Sequence, residues 1–151
     1  MKFRIVGSGL WIAASVLLCA GLVRAEEHSD PESVLRKTSM FAMGGVGVAG
    51  SMSEGERALR EILNQPDATA KLEKMLPEAS PAGQLYLLVA LRERDRAAYQ
   101  RAVGKVGGND ATVETARGCI LQKENFRDLV KQIEKGNYDS YLSRTWPKQA
   151  R

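Results

Sequence analysis

The residues Gly45-Val46-Gly47-Val48-Ala49-Gly50 satisfy G-x-G-x-x-G, a pattern whose amides face a pyrophosphate when it lies between a strand and a helix. No strand pattern precedes this run and no succession of strand-helix-strand units follows it. It reads instead as a close-packed connection or a helix held by tertiary contact, and no small-molecule cofactor is expected. The sole histidine, His28, stands upstream of the segments expected to fold, so a Cys119/His28 nucleophile pair lacks a positioned base. Zinc lacks a ligand cluster, and no metal site or catalytic residue is assigned. A carboxylate pair drawn from Glu54, Glu56, Glu61 and Glu114 would supply hydrolytic acid-base chemistry, but nothing in the sequence ranks one pair above another. Arg92, Arg94, Arg96 and Arg101, with Tyr99 among them, and Arg117 form the candidate partner-binding surface. Glu93 and Asp95 interleave with the first four, so the plainer reading is a charged helix junction with local ion pairs. Arg117-Gly118-Cys119 is a second surface feature, a loop on a helical scaffold.

The chain opens Met1-Lys2-Phe3-Arg4, continues with an apolar run from Ile5 to Val23, and reaches Val23-Arg24-Ala25 before Glu26-Glu27. Positive, apolar and small-residue regions in that order are those of a secretory signal peptide cut between Ala25 and Glu26. Two alternatives are an uncleaved anchor through 5–23, since a spanning helix needs about 17–25 apolar residues, and lipidation at Cys19. Gly7, Gly9 and Gly21 weaken the first, and Val16-Leu17-Leu18 lacks the small residue a lipobox needs before Cys19. Lys2, Arg4 and Arg24 all lie in the leader, and removing them takes the net charge from +4 to +1. A near-neutral mature chain has no electrostatic case for nucleic acid, or for a membrane unless the leader stays attached. Cleavage also removes Cys19 and leaves Cys119 alone, to be buried as a small hydrophobe or bridged to another chain.

Any chemistry must be positioned by residues 26–151, enough for one domain whose core comes from packing without a disulfide. The organisation expected is a signal peptide at 1–25, a flexible N-terminus at 26–31, a single helical domain at 32–146 and a tail at 147–151. Asp30-Pro31 starts a short helix running toward Phe41. Ser53-Glu54-Gly55-Glu56 is a capping box, with the Glu56 carboxylate reaching back to the cap. Apolar residues Ala58, Leu59, Ile62 and Leu63 then share one helical face, as do Ala68, Leu72, Met75 and Leu76 in the next helix. Ser80-Pro81 caps a helix whose stretch from Leu85 to Leu91 is unbroken apolar, the mark of a central helix covered on most sides. Tyr99, Ala102, Val103 and Val106 mark a fourth helix. Residues 111–121 read as a short strand or irregular hairpin, and Asn125 caps a last helix carrying Phe126, Leu129, Val130 and Ile133. Trp146-Pro147 lies in a tail able to dock back.

A shift of 27 residues superimposes Ser53 on Ser80, Leu59 on Tyr86, Ile62 on Val89 and Leu72 on Tyr99. The pattern resembles a short α-solenoid of the HEAT-like or tetratricopeptide-like kind. The match is of hydrophobic phase rather than identity, and regular amphipathic helices of similar length also produce it. The fold class expected is therefore mainly α: a small domain of paired antiparallel helices, with or without a true repeat.

Two functions remain. One is a periplasmic or secreted, non-enzymatic helical module that binds an envelope or extracellular protein; the other is a small exported hydrolase-like enzyme using surface carboxylates. Protein recovered from its host should begin at Glu26 by intact-mass measurement. A mass that retains residues 1–25 supports the anchor, and one starting at a diacylated Cys19 supports the lipoprotein.

Overall fold

The computed structural model describes residues 29–143. The leader 1–25 with its Ala25/Glu26 junction, His28, Trp146 and the tail 147–151 lie outside the described residues. Seven helices and five strands follow in the order α1 (Pro31–Lys37), β1 (Met40–Phe41), β2 (Gly45–Val46), β3 (Ser51–Met52), α2 (Glu54–Leu63), α3 (Ala68–Met75), α4 (Pro81–Arg94), α5 (Arg96–Val106), β4 (Thr112–Arg117), β5 (Ile120–Asn125), α6 (Phe126–Glu134) and α7 (Asp139–Leu142).

Helix α4 is the hub. Every residue from Leu85 to Leu91 is buried, as the unbroken apolar run predicts, and a helix apolar all round must be covered all round. It packs against α1, α2, α3, α5, α6, α7 and β1. Its N-terminus is fixed by Ser80, whose hydroxyl caps the Gly83 amide at 3.1 Å and donates to the Thr38 carbonyl at 2.6 Å. A Cβ on Gly83 would stand 1.9 Å from the Leu35 carbonyl oxygen, so glycine alone lets the end of α1 rest on α4.

This arrangement corrects the mainly α, solenoid-like expectation. Of the described residues 55% are helical and 17% lie in strands of two small sheets, a mixed α/β fold. In a solenoid each repeat touches only its neighbours, whereas α4 touches elements from both ends of the described chain. The 27-residue phase reflects two successive helix pairs of similar length, α2/α3 and α4/α5, and the β4–β5 hairpin stands where a third would begin. The larger sheet has the order β1-β4-β5. Its β1 runs parallel to β4, with Met40 opposite Glu114, and β4 runs antiparallel to β5 from Thr112/Asn125 to Arg117/Ile120.

Three local expectations change as well. The first helix ends at Lys37, and Met40–Phe41 is strand. The glycine run is neither helix nor helix-packing connection. It forms the β2–β3 hairpin, with Gly44, Gly47 and Gly50 at positive φ, where a side chain would be strained. The segment read as extended at 111–121 is a regular hairpin that continues to Asn125.

Leu88 is fully buried on the hub helix, so Leu88→Ala should destabilise the protein by roughly 2–5 kcal/mol. Chemical denaturation checks this, and an unchanged midpoint would contradict the hub assignment.

Candidate functional site

The β4–β5 hairpin turns through two residues, Gly118 at φ +57 and Cys119, immediately beyond the Arg117/Ile120 pair. The β2–β3 hairpin is tied to this turn: Gly47 N–H donates to the Gly118 carbonyl at 2.8 Å, and Gly118 N–H donates to the Gly45 carbonyl at 3.2 Å. Two loop tips therefore form one surface at the end of the sheet. Val48 is 98% exposed, Ile120 61% and Leu121 69%. Cys119 is exposed too, which corrects the expectation of a buried thiol.

Strand β5 lies at the edge of its sheet, hydrogen-bonded to β4 on one side. Side chains alternate across it. Ile120, Gln122 and Glu124 share a face with Thr115 and Arg117; Leu121 and Lys123 share the opposite face with Glu114. The far end of the first face is anchored to the body. Glu124 accepts from Thr115 Oγ1 and from Gln132 Nε2, each at 2.9 Å, and Arg117 donates to Gln132 Oε1 at 2.7 Å. The near end, Ile120-Leu121, projects from the body.

Two buried polar clusters hold the link between β1 and β2, and so position the tip. The Tyr86 hydroxyl accepts from Ala42 N–H at 2.8 Å and lies 2.9 Å from Ser53 Oγ. Ser53 Oγ donates to the Ala42 carbonyl at 2.7 Å and caps Glu56 N–H at 3.1 Å. Both backbone groups of Ala42 are thereby satisfied by side chains. The hydroxyl pair has the outline of an acid-base couple but the bonding of a clamp. Burial is the main influence on the Tyr86 phenol and pushes its pKa up to about 12, away from proton transfer at neutral pH.

Glu56, fully buried, departs from the capping-box expectation. Ser53 makes its half of the box, but the carboxylate accepts from Gly44 N–H at 2.8 Å and from Arg60 at 2.8 and 3.1 Å. Arg60 in turn donates to the Tyr141 carbonyl at 2.6 Å, which secures α7. Beside the clamp lies a groove of about 720 Å³ whose lining includes Ser33, Thr38, Met40, Ser51 and Met52.

The five arginines do not converge. Arg92 pairs with Asp139 and donates to the Glu134 carbonyl, joining α4 to α6 and α7. Arg94 donates to the Leu63 carbonyl at 2.8 Å, Arg101 makes a two-pronged pair with Glu73, and Arg96 is exposed at the start of α5. Arg117 alone of the five belongs to the tip. Among the carboxylates considered for hydrolysis, Glu56 is occupied as above, Glu54 is exposed on the groove rim and Glu114 is exposed opposite Lys123. Glu93, not among them, has its pKa raised by desolvation and then by Asp139, but is exposed at the end of α4.

No family model matches the chain, and no curated protein or solved structure does. Among the described residues no group of three or more His, Cys, Asp or Glu could hold a metal ion, and no helix is long and apolar enough to cross a membrane.

Glu56→Ala would remove the buried carboxylate that accepts from Arg60 and from the Gly44 amide and should destabilise the fold by about 3 kcal/mol, read by urea denaturation. Tyr86 carries the opposite kind of test. With its folded pKa raised, its contribution is complete below the ordinary phenol value near 10 and is lost as pH rises toward about 12. Stability should therefore fall between those values, and less steeply in Tyr86→Phe.

Proposed function

We propose that the protein is an exported, non-enzymatic interaction module that receives an extended segment of an envelope or extracellular protein on the free edge of β5. One observation carries this reading: an edge strand whose first two residues, Ile120 and Leu121, are 61% and 69% exposed. An open edge offers a row of backbone donors and acceptors, and apolar side chains on it favour strand addition. Among the described residues β5 holds no proline and no further strand pairs with its outer side. The two faces would read alternate side chains of the added segment, Ile120 and Gln122 on one and Leu121 and Lys123 on the other. Val48 and Arg117 flank the entry. The export half of the proposal is supported by the order of residues in the leader.

A photo-cross-linking residue at position 121 should yield a protein adduct in native envelope fractions, whereas the same group at Lys74, exposed on α3, should not. Equal yields would remove β5 as the docking edge. The same purified protein should show no turnover on hydrolase substrate panels. Turnover abolished by one Asp or Glu replacement with the fold intact would establish the hydrolase alternative.

A further inference from the structure

We infer that the segment received on β5 runs antiparallel to it and carries an acidic residue, a polar residue and two apolar residues in that order from its N-terminal side, an inference that rests on β5 being the docking edge. The two-residue turn at Gly118 and Cys119 closes on the Arg117/Ile120 pair. A pair that closes such a turn exchanges both of its backbone bonds, and pairs along an antiparallel ladder alternate between bonded and non-bonded. Ile120, Gln122 and Glu124 therefore turn their backbone groups toward β4, while Leu121 and Lys123 turn theirs to the open side. An added strand is gripped at those two residues, and the side chains it sets directly opposite them are the ones read most closely. On their face of the sheet lies a depression of about 200 Å³ lined by Glu114, Leu121, Gln122 and Lys123. Lys123 stands opposite Glu114 in register, yet its ammonium makes no ion pair or hydrogen bond among the described residues. Across three neighbouring strands that row reads Glu114, Lys123 and the incoming residue. Opposite charges across strands attract and like charges repel, so alternation of sign makes the incoming residue acidic. The next row on the same face is Ala116, Leu121 and a second incoming residue. Ala116 is buried and Leu121 is 69% exposed, so an apolar side chain there enters the depression and covers Leu121. On the other face Gln122 takes a polar neighbour, and Ile120, 61% exposed, takes an apolar one. The antiparallel sense is chosen by backbone geometry, because the slanted bonds of a parallel pair are slightly less stable per residue.

Binding of end-blocked fluorescent peptides, followed by anisotropy, reads both the charge and the sense. The probes are Thr-Glu-Thr-Val-Val-Thr, the same peptide with Lys in place of Glu, and the reversed order Thr-Val-Val-Thr-Glu-Thr. The first should bind about threefold tighter or more than either of the others, the scale of a cross-strand charge pair. Lys123→Gln should erase its advantage over the Lys peptide and Lys123→Glu should invert it. Neither substitution, at an exposed residue, should move the melting temperature. High salt should narrow the difference in the unaltered protein. Equal affinities for the three peptides, no binding by any of them, or a preference for Glu that survives Lys123→Glu would overturn this inference. If adducts through position 121 still form in envelope fractions in that case, the docking edge stands without this pattern; if they are absent too, both readings fall.

Discussion

The constraint on which the structure depends is the need to surround α4. A fourteen-residue helix with no polar stripe over Leu85–Leu91 has no side on which water is tolerable, so a small domain with no disulfide among its described residues must spend most of its other elements as a shell. Helices α1, α2, α3, α5 and α6 supply much of that cover, and β1, β4 and α7 add to it. Phe41 is the visible trace of this role for the sheet: its ring lies edge-on to Tyr86 of α4 and to Tyr138 ahead of α7, with centroids 5.0 and 5.1 Å away. The sheet is there first as a wall of the core, and its outer strand is what the core does not need.

That division explains why polar groups are buried where they are. Between β1 and the β2–β3 hairpin the chain passes through the core margin, and its amides and carbonyls at Ala42 and Gly44 lose access to solvent. An unpaired backbone group there is expensive. Tyr86, Ser53 and Glu56 supply the missing partners from α4 and the start of α2. The same bonds fix the direction in which the hairpin leaves the body, so the tip surface is rigidly coupled to the hub. Arg60 extends this chain of contacts from Glu56 to the α7 carbonyls.

The features legible in the sequence were those decided within a few residues. Asp30, Ser53, Ser80 and Asn125 are helix caps in the structure because each satisfies an amide two or three positions ahead. The hub helix was legible because its run of large apolar residues has no amphipathic alternative. The β1–β4 pairing was not, since two strand residues carry no period and their partners lie 74 positions away. Nor was β5, whose sequence does not alternate because neither of its faces is fully covered. Glu56 illustrates a local rule displaced by tertiary context: its expected cap partner was close by, but Gly44 and Arg60 lay in the dry interior. For the surface, charge made the arginines conspicuous, yet four of the five stand away from the tip and three of those brace the body internally. Ile120 and Leu121 could be recognised as exposed only once the strand order placed β5 outside β4.

The parallel register of Met40 with Glu114 also sets a timetable. Helical hairpins such as α4/α5 can close as soon as their own residues are available, but β1 must wait for a segment that arrives most of a domain later. Contacts of such separation slow folding, because a long loop must be closed before they form. A chain emerging from its N-terminus would thus assemble α1 to α5 around an incomplete wall, with Phe41 waiting for β4 and then for Tyr138. The sheet, small as it is, is the part of the molecule that joins the first strand to a segment made after all of α2 to α5.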